Sequence, residues 1–264
     1  MSTLSYAMSD SATMLRRNLR HALRYPSMTI GTVAMPIIML LLFVYVFGGA
    51  MSAGLVGAAT GGTNYIDYIV PGILLMTVGS GSLPTAVAVC TDMTEGIVAR
   101  FRTMAIFRAS LLTGHVVGSM IQTMVSIGLV IGVAILMGFR TSAGPVAWIA
   151  ALAVLAMLTF ALTWLAVALG LASKTPEAAS NAVIPLSFLL PFISSAFVPL
   201  DSMPSGVRAF AAYQPFTLVI ETLRGLLMGT SIGNSGWLAV AWCAGIALAG
   251  YLWARALFNR DPAR

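Results

Sequence analysis

Long apolar runs separated by short polar breaks set the pattern of this chain. Six of them fall at about 28–47, 66–90, 111–138, 146–172, 178–200 and 236–257. Each is long enough to cross a hydrocarbon core of about 30 Å as one helix. The pattern therefore predicts six transmembrane helices in a single all-α membrane domain covering 1–264. The second run holds Pro71, Gly72 and Pro84, which predicts a kinked or broken helix. The first run is about 20 residues long and follows a helical segment, whereas the apolar part of a cleaved signal peptide has about 7–15. It is expected to remain as a span.

Three stretches outside the runs also read as helical. In the first, Leu4, Met8, Ala12, Leu15, Leu19 and Leu23 recur at spacings of three or four, an apolar stripe. Arg16, Arg17, Arg20 and Arg24 decorate the remaining surface. A basic amphipathic helix over 1–27, lying in the interface among membrane lipids and ended by Tyr25-Pro26, is expected. His21 is a further cationic or interfacial group there.

The second stretch, CTDMTEGIVARFRTMAIFR, joins the second and third runs and concentrates Asp92, Glu95, Arg100, Arg102 and Arg108. Burying five charges at mid-membrane would cost about 12–18 kcal/mol at roughly 2.5–3.5 kcal/mol each, so the stretch belongs at a membrane surface. From Asp92 to Leu112 it has no proline and one glycine, Gly96, which predicts a helix at about 91–110. Thr91 or Asp92 would be its N-cap, with Glu95 as the capping-box partner. The arginines then fall toward the negative end of the helix dipole. A solvated connector and a docking helix for a cytoplasmic partner both fit this composition.

The third stretch, at 201–234, contains two short apolar pieces divided by Gln214-Pro215, with Pro204, Arg208, Glu221 and Arg224 among them. Neither piece can span, and polar residues are too few for a solvated loop. A pair of half-helices re-entering the membrane against the bundle fits the pattern. Glu221 and Arg224, three residues apart, are placed to pair on one helical face.

Composition agrees with a membrane class: 59% of residues are hydrophobic and only 8% charged, against about 25% charged in soluble domains. The net charge of +6 comes from thirteen arginines and Lys174. They flank apolar runs rather than interleave with aromatics, so nucleic acid is not the expected partner. With six spans the termini share a side, and that side carries eleven of the fourteen basic residues. Only Arg140, Arg208 and Arg224 fall on the other. The positive-inside rule then makes both termini cytoplasmic, in a bacterial plasma membrane, and puts 201–234 outside.

On these features the chain resembles membrane subunits of ABC type-2 transporters, in pattern the daunorubicin-resistance permeases of actinobacteria. The resemblance rests on DMTEGIVARFR, Asp92 to Arg102, and on FVPLDSMPSGVRAFAAYQPFTLVIETLR, Phe197 to Arg224. It implies that the first stretch is a cytoplasmic coupling helix fitting a cleft on a partner ABC ATPase, and that the second is an outer re-entrant hairpin. Asp92, Glu95, Gly96, Arg100, Arg102 and Arg108 would be the coupling residues. A second permease copy or a related subunit would complete the path. The family often has a proline where this chain has Ala105, so the coupling helix would run on toward the next span.

Nucleotide chemistry is not expected in this chain. A P-loop needs glycine just before its lysine and another five residues earlier, and GLASKTPE has Ser173 and Ala168 at those positions. ATP and Mg would sit on the partner, and no cofactor, metal cluster or Ser/His/Asp set is expected here. His115 reads as a packing or interfacial residue, and Cys90 and Cys243 as small buried hydrophobes. An ion-coupled secondary transporter would place ionisable groups at mid-membrane; here Asp67 and Arg140 lie at run edges. A non-transport assembly factor is the remaining alternative. Sixteen Met and twelve Phe suit a hydrophobic or amphipathic cargo such as a drug, natural product or lipid-linked molecule.

Overall fold

The computed structural model describes residues 26–49, 64–95 and 108–259. The N-terminal stripe with Arg16, Arg17, Arg20 and Arg24, and Gly96, Arg100 and Arg102 of the charged stretch, lie outside the described residues. Among the described residues the architecture is a helical bundle without strands. Helix α1 is Pro26–Leu41, continued by a π-helical turn Leu42–Phe47; α2 is Tyr65–Thr94, α3 Arg108–Leu136 and α4 Pro145–Ala172. Helix α5, Pro176–Ile184, passes through a π-helical turn Pro185–Leu189 into α6, Leu190–Phe192. Two short helices follow, α7 Ser205–Tyr213 and α8 Pro215–Met228, and α9 is Ser235–Asn259.

Four helices, in α2, α3, α4 and α9, are long and apolar enough to cross a membrane. Each has at least 25 residues that qualify, or about 37 Å at 1.5 Å per residue. The first and fifth runs give shorter helices. In the fifth, Pro185 and Pro191 each remove an N–H from the ladder, and the backbone answers with an i→i+5 bond from the Leu190 N–H to the Pro185 carbonyl. The helix then stops at Phe192 and turns, so the run does not make one uniform helix to Leu200.

Helix α2 is the hub and packs against α1, α3, α4, α5 and α8. Every residue from Tyr65 to Gly79 on it is buried. It passes unbroken through Pro71 and Pro84, so of the kinked or broken helix expected there the break does not occur; at Pro71, where its own ladder lacks a donor, it is buried among its neighbours. It also runs four residues past Cys90. Thr91 and Asp92 are therefore in its last turn, not at the N-cap of a new helix, and Thr91 Oγ1 donates back to the Val87 carbonyl. No glycine or proline lies between Thr85 and Glu95 to stop the helix earlier. Arg108 is already the first residue of α3.

Helices cross closely where side chains are small, as membrane bundles require. A Cβ on Gly170 would stand 2.5 Å from the Ala86 carbonyl oxygen, and one on Gly79 would stand 2.8 Å from Ser187 Cα. At the second crossing Ser187 Oγ donates to the Gly79 carbonyl at 2.9 Å, so the π-helical turn is bonded to α2. Outward surfaces are apolar: Val117, Ile121, Val125 and Leu129 of α3 and Trp237, Leu248 and Leu252 of α9 are exposed. Cys90 and Cys243 are both free and buried.

Contacts sort the connections to two ends. At one end Asp67 Oδ1 accepts from the Arg140 N–H at 3.0 Å, and Thr141 Oγ1 donates to the Leu227 carbonyl. At the other, Cys90 Sγ lies 3.5 Å from the Ser173 carbonyl, and the turn bearing Lys174 leads into α5. Thr175 Oγ1 caps α5 by accepting from the Ala178 N–H at 3.2 Å, with Pro176 at the first helical position.

Candidate functional site

Two polar clusters stand out against this apolar bundle, one at each end. The larger is built where the 201–234 segment folds back. The helical pair forms around the break read from the sequence, with Pro215 opening α8 and Gln214 between the helices. Gly229, at φ 71°, ends α8 in the left-handed conformation that glycine tolerates best. The two helices differ in burial. Helix α8 sinks Phe216, Val219, Ile220, Leu223 and Leu227 into the core, whereas α7 leaves Val207, Phe210 and Tyr213 exposed.

On α8, Glu221 and Arg224 pair at 3.0 Å as their spacing predicts. The pair also does more than brace one helix. Arg224 Nη2 donates to the Ser195 carbonyl at 3.1 Å and to the Tyr68 carbonyl at 3.3 Å. Its guanidinium carbon sits 3.9 Å from the centre of the Tyr68 ring. Ser195 Oγ donates to Glu221 Oε1 at 2.8 Å, the Tyr68 hydroxyl donates to the Ser195 carbonyl at 3.1 Å, and the Ser195 N–H reaches Thr217 Oγ1 at 3.3 Å. One arginine thus joins α8, the start of α2 and the turn after α6. One of the two carbonyls it satisfies, that of Ser195, lies just past the point where the fifth run stops short, which helps that helix end in an apolar setting.

Its exposure decides its worth. The Arg224 side chain is 15% exposed and that of Glu221 39%. By contrast Arg208 pairs with Asp201 on the surface, at 52% and 83% exposure, where an ion pair contributes about 0–1 kcal/mol. Of the hairpin residues singled out in the sequence, Glu221 and Arg224 come together, while Pro204, which caps α7, and Arg208 on it do not join them. Tyr68 and Ser195 were not anticipated. Their partners are 127 and 156 positions away, between Tyr68 and Ser195 and between Tyr68 and Arg224, a distance no local pattern carries.

The second cluster lies where α2 ends and α3 begins. His115 Nε2 is 2.9 Å from Asp92 Oδ2, and the two side chains are 8% and 14% exposed. Asp92 belongs to the expected coupling set; His115 does not. Glu95 follows the last turn of α2 and is exposed. Between Asp67 and Asp92 helix α2 has no Asp, Glu, Lys, Arg or His, and the same holds for α3 beyond His115 and for all of α4. Fixed charge is therefore confined to the two ends of the bundle.

Helix α2 touches both clusters. Tyr68 and Asp92 lie 24 residues apart on it, about 36 Å of continuous helix.

The chain is 29% identical over 225 residues to the daunorubicin resistance ABC transporter permease protein DrrB1 of Streptomyces coeruleorubidus, covering 85% of this chain and 77% of that protein. It is 26% identical over 219 residues to the probable doxorubicin resistance ABC transporter permease protein DrrC of Mycobacterium tuberculosis H37Rv, covering 83% and 77%. The ABC-2 type transporter family model matches residues 11–228, a span that contains the charged stretch and both helices of the hairpin. This chain is a multi-pass membrane subunit belonging to the ABC-2 type transporter family.

Proposed function

We propose that the chain is the permease subunit of an ATP-driven exporter that moves a hydrophobic or amphipathic substrate out of the cytoplasm or the inner leaflet. The observation that carries this reading is the family match across residues 11–228. ATP and Mg belong to a separate ABC ATPase, which engages the connection between α2 and α3 through Asp92, Glu95, Gly96, Arg100, Arg102 and Arg108. Two copies of the chain, or one copy and a related permease, enclose the path. In this arrangement closure of the ATPases pushes one end of α2, and the Tyr68–Arg224 contact passes the movement to the hairpin at the other. Packed helices switch between discrete arrangements in this way. The absence of Asp, Glu, Lys, Arg or His from the middle of α2, α3 and α4 favours this over an ion-coupled transporter.

Six spans, with α1 and the α5–α6 run as the two shorter ones, put both termini and the α2–α3 connection in the cytoplasm. The N-terminal arginines then meet lipid headgroups. In a variant lacking Cys90 and Cys243, single cysteines at Asn64 and Asn234 should react with an impermeant maleimide in intact cells. A cysteine at Lys174 should react only after permeabilisation; the opposite pattern would invert the orientation.

The coupling role is tested by reversing charge at Glu95 and Arg100. Glu95→Lys and Arg100→Glu should leave membrane insertion unchanged, because neither residue lies in a span. Co-purification of the ABC ATPase with the tagged permease should fall on the order of ten-fold, the scale of losing one well-placed interfacial charge contact. Normal co-purification and normal export by both variants would show that the connection is only a solvated link.

A further inference from the structure

The Asp92–His115 contact is the polar feature least expected from the residue pattern. The two residues are 23 positions apart, on either side of the connection between α2 and α3. Asp92 is two residues from the end of α2, and His115 is seven past the start of α3. Val89 and Met93 of α2, Leu112 of α3, Leu171 of α4 and Phe258 of α9 line the recess around them. Four helices therefore converge on the pair, and their apolar side chains leave little of it open to solvent. In such surroundings a hydrogen bond to a carboxylate is stronger than in water, and an unmatched partner is costly.

Among the described residues no three of His, Cys, Asp or Glu come together as a metal site needs. A residue serving only to fill space would be apolar here, like its neighbours. What the contact does mechanically is fix the end of one long helix to the beginning of the next.

We propose that His115 is a positioning residue: through Asp92 it ties the end of α2 to the start of α3, so that both helices move as one body when the ABC ATPase pushes on this end. The proposal rests on the reading that the α2–α3 end faces the ATPase. Without the tie, the same push spreads the helix ends instead of displacing α2 along its length, and the contact at Tyr68 receives less of the movement.

The experiment uses the full chain with its co-purified ABC ATPase in nanodiscs, comparing His115→Ala, His115→Asn and His115→Gln. A glutamine Nε2 reaches about as far as the histidine Nε2 and can donate to Asp92; alanine and asparagine cannot. Amide hydrogen exchange across 88–95 and 112–118 should quicken about ten-fold in the Ala and Asn variants, as local opening loses one buried bond, and return to the wild-type rate in Gln. Permease-dependent ATP hydrolysis should lose kcat in the same two variants while KM for ATP holds, since the nucleotide sits on the other subunit. If Ala fails to insert, Asn carries the comparison.

Unchanged exchange in His115→Asn would overturn the tie. Faster exchange with kcat intact would overturn its role in transmission. The charge reversals at Glu95 and Arg100 separate the two ideas: ATPase binding lost in those variants but normal kcat in His115→Asn leaves the coupling reading standing and removes this one. Normal ATPase binding by the reversals would remove both.

Discussion

Arg224→Ala is expected to destabilise the purified permease by about 3 kcal/mol, the low end of the range for breaking a buried ion pair. The low end applies because Glu221 keeps 39% of its side chain exposed and so retains some solvation. The loss goes beyond one pair. Alanine leaves the Tyr68 and Ser195 carbonyls without the donor they share and removes the cation from the Tyr68 ring, an interaction of order 1–2 kcal/mol when desolvated. Arg208→Ala is the internal control, since its pair with Asp201 is exposed and should contribute well under about 1 kcal/mol. Glu221→Ala combined with Arg224→Ala should cost less than the two single changes added together, because the second change removes the carboxylate stranded by the first. Thermal unfolding of the wild type, the three single variants and the double variant in one detergent measures this directly. Equal midpoints for Arg224→Ala and Arg208→Ala would mean that the cluster does not hold α8 to α2.

Some of this structure was legible in the residues. The third, fourth and sixth runs appear as long helices because each offers more than 18 apolar residues in which no charge interrupts the pattern. The hairpin break at Gln214-Pro215 was legible because proline suits the first position of a helix far better than its interior. The i, i+3 pairing of Glu221 with Arg224 follows from helix geometry alone.

What was not legible depends on partners distant in the chain. Asp92 looks like a helix start, since aspartate followed by glutamate three residues later is a capping pattern. It is instead near a helix end, because nothing local stops α2 and because His115 supplies its partner from the next helix. Pro71 and Pro84 suggested a kink or a break, and α2 is not broken at either. The fifth run looked uniform, yet Pro185 and Pro191 end it at Phe192, where Arg224 takes up a carbonyl from 29 residues away.

The second large effect is expected at Leu223, and it separates burial from membrane location. The side chain is fully buried among core residues of α8 and the bundle. Leu223→Arg must place a guanidinium where no partner waits, and should prevent recovery of folded protein whether the hairpin lies in lipid or in water; an unpaired buried charge costs at least several kcal/mol. This variant therefore tests the packing of α8, and near-normal yield would contradict it. Where the hairpin lies relative to the bilayer is read instead from α7. Its Val207, Phe210 and Tyr213 recur every three residues and are 45%, 54% and 79% exposed. If α7 lies in the membrane, as a re-entrant hairpin requires, these side chains meet lipid. A spin label at Phe210 in nanodiscs should then be reached by oxygen more readily than by a water-soluble nickel chelate, with the reverse at exposed Asp201. Phe210→Arg should cost about 1–3 kcal/mol, below the mid-membrane value because a long side chain near an interface can extend toward water. In open water the same change would stay within about 0.5 kcal/mol. Chelate access at Phe210 equal to that at Asp201, with Phe210→Arg silent, would place α7 in solvent and leave α8 as the only part of the hairpin held by the bundle.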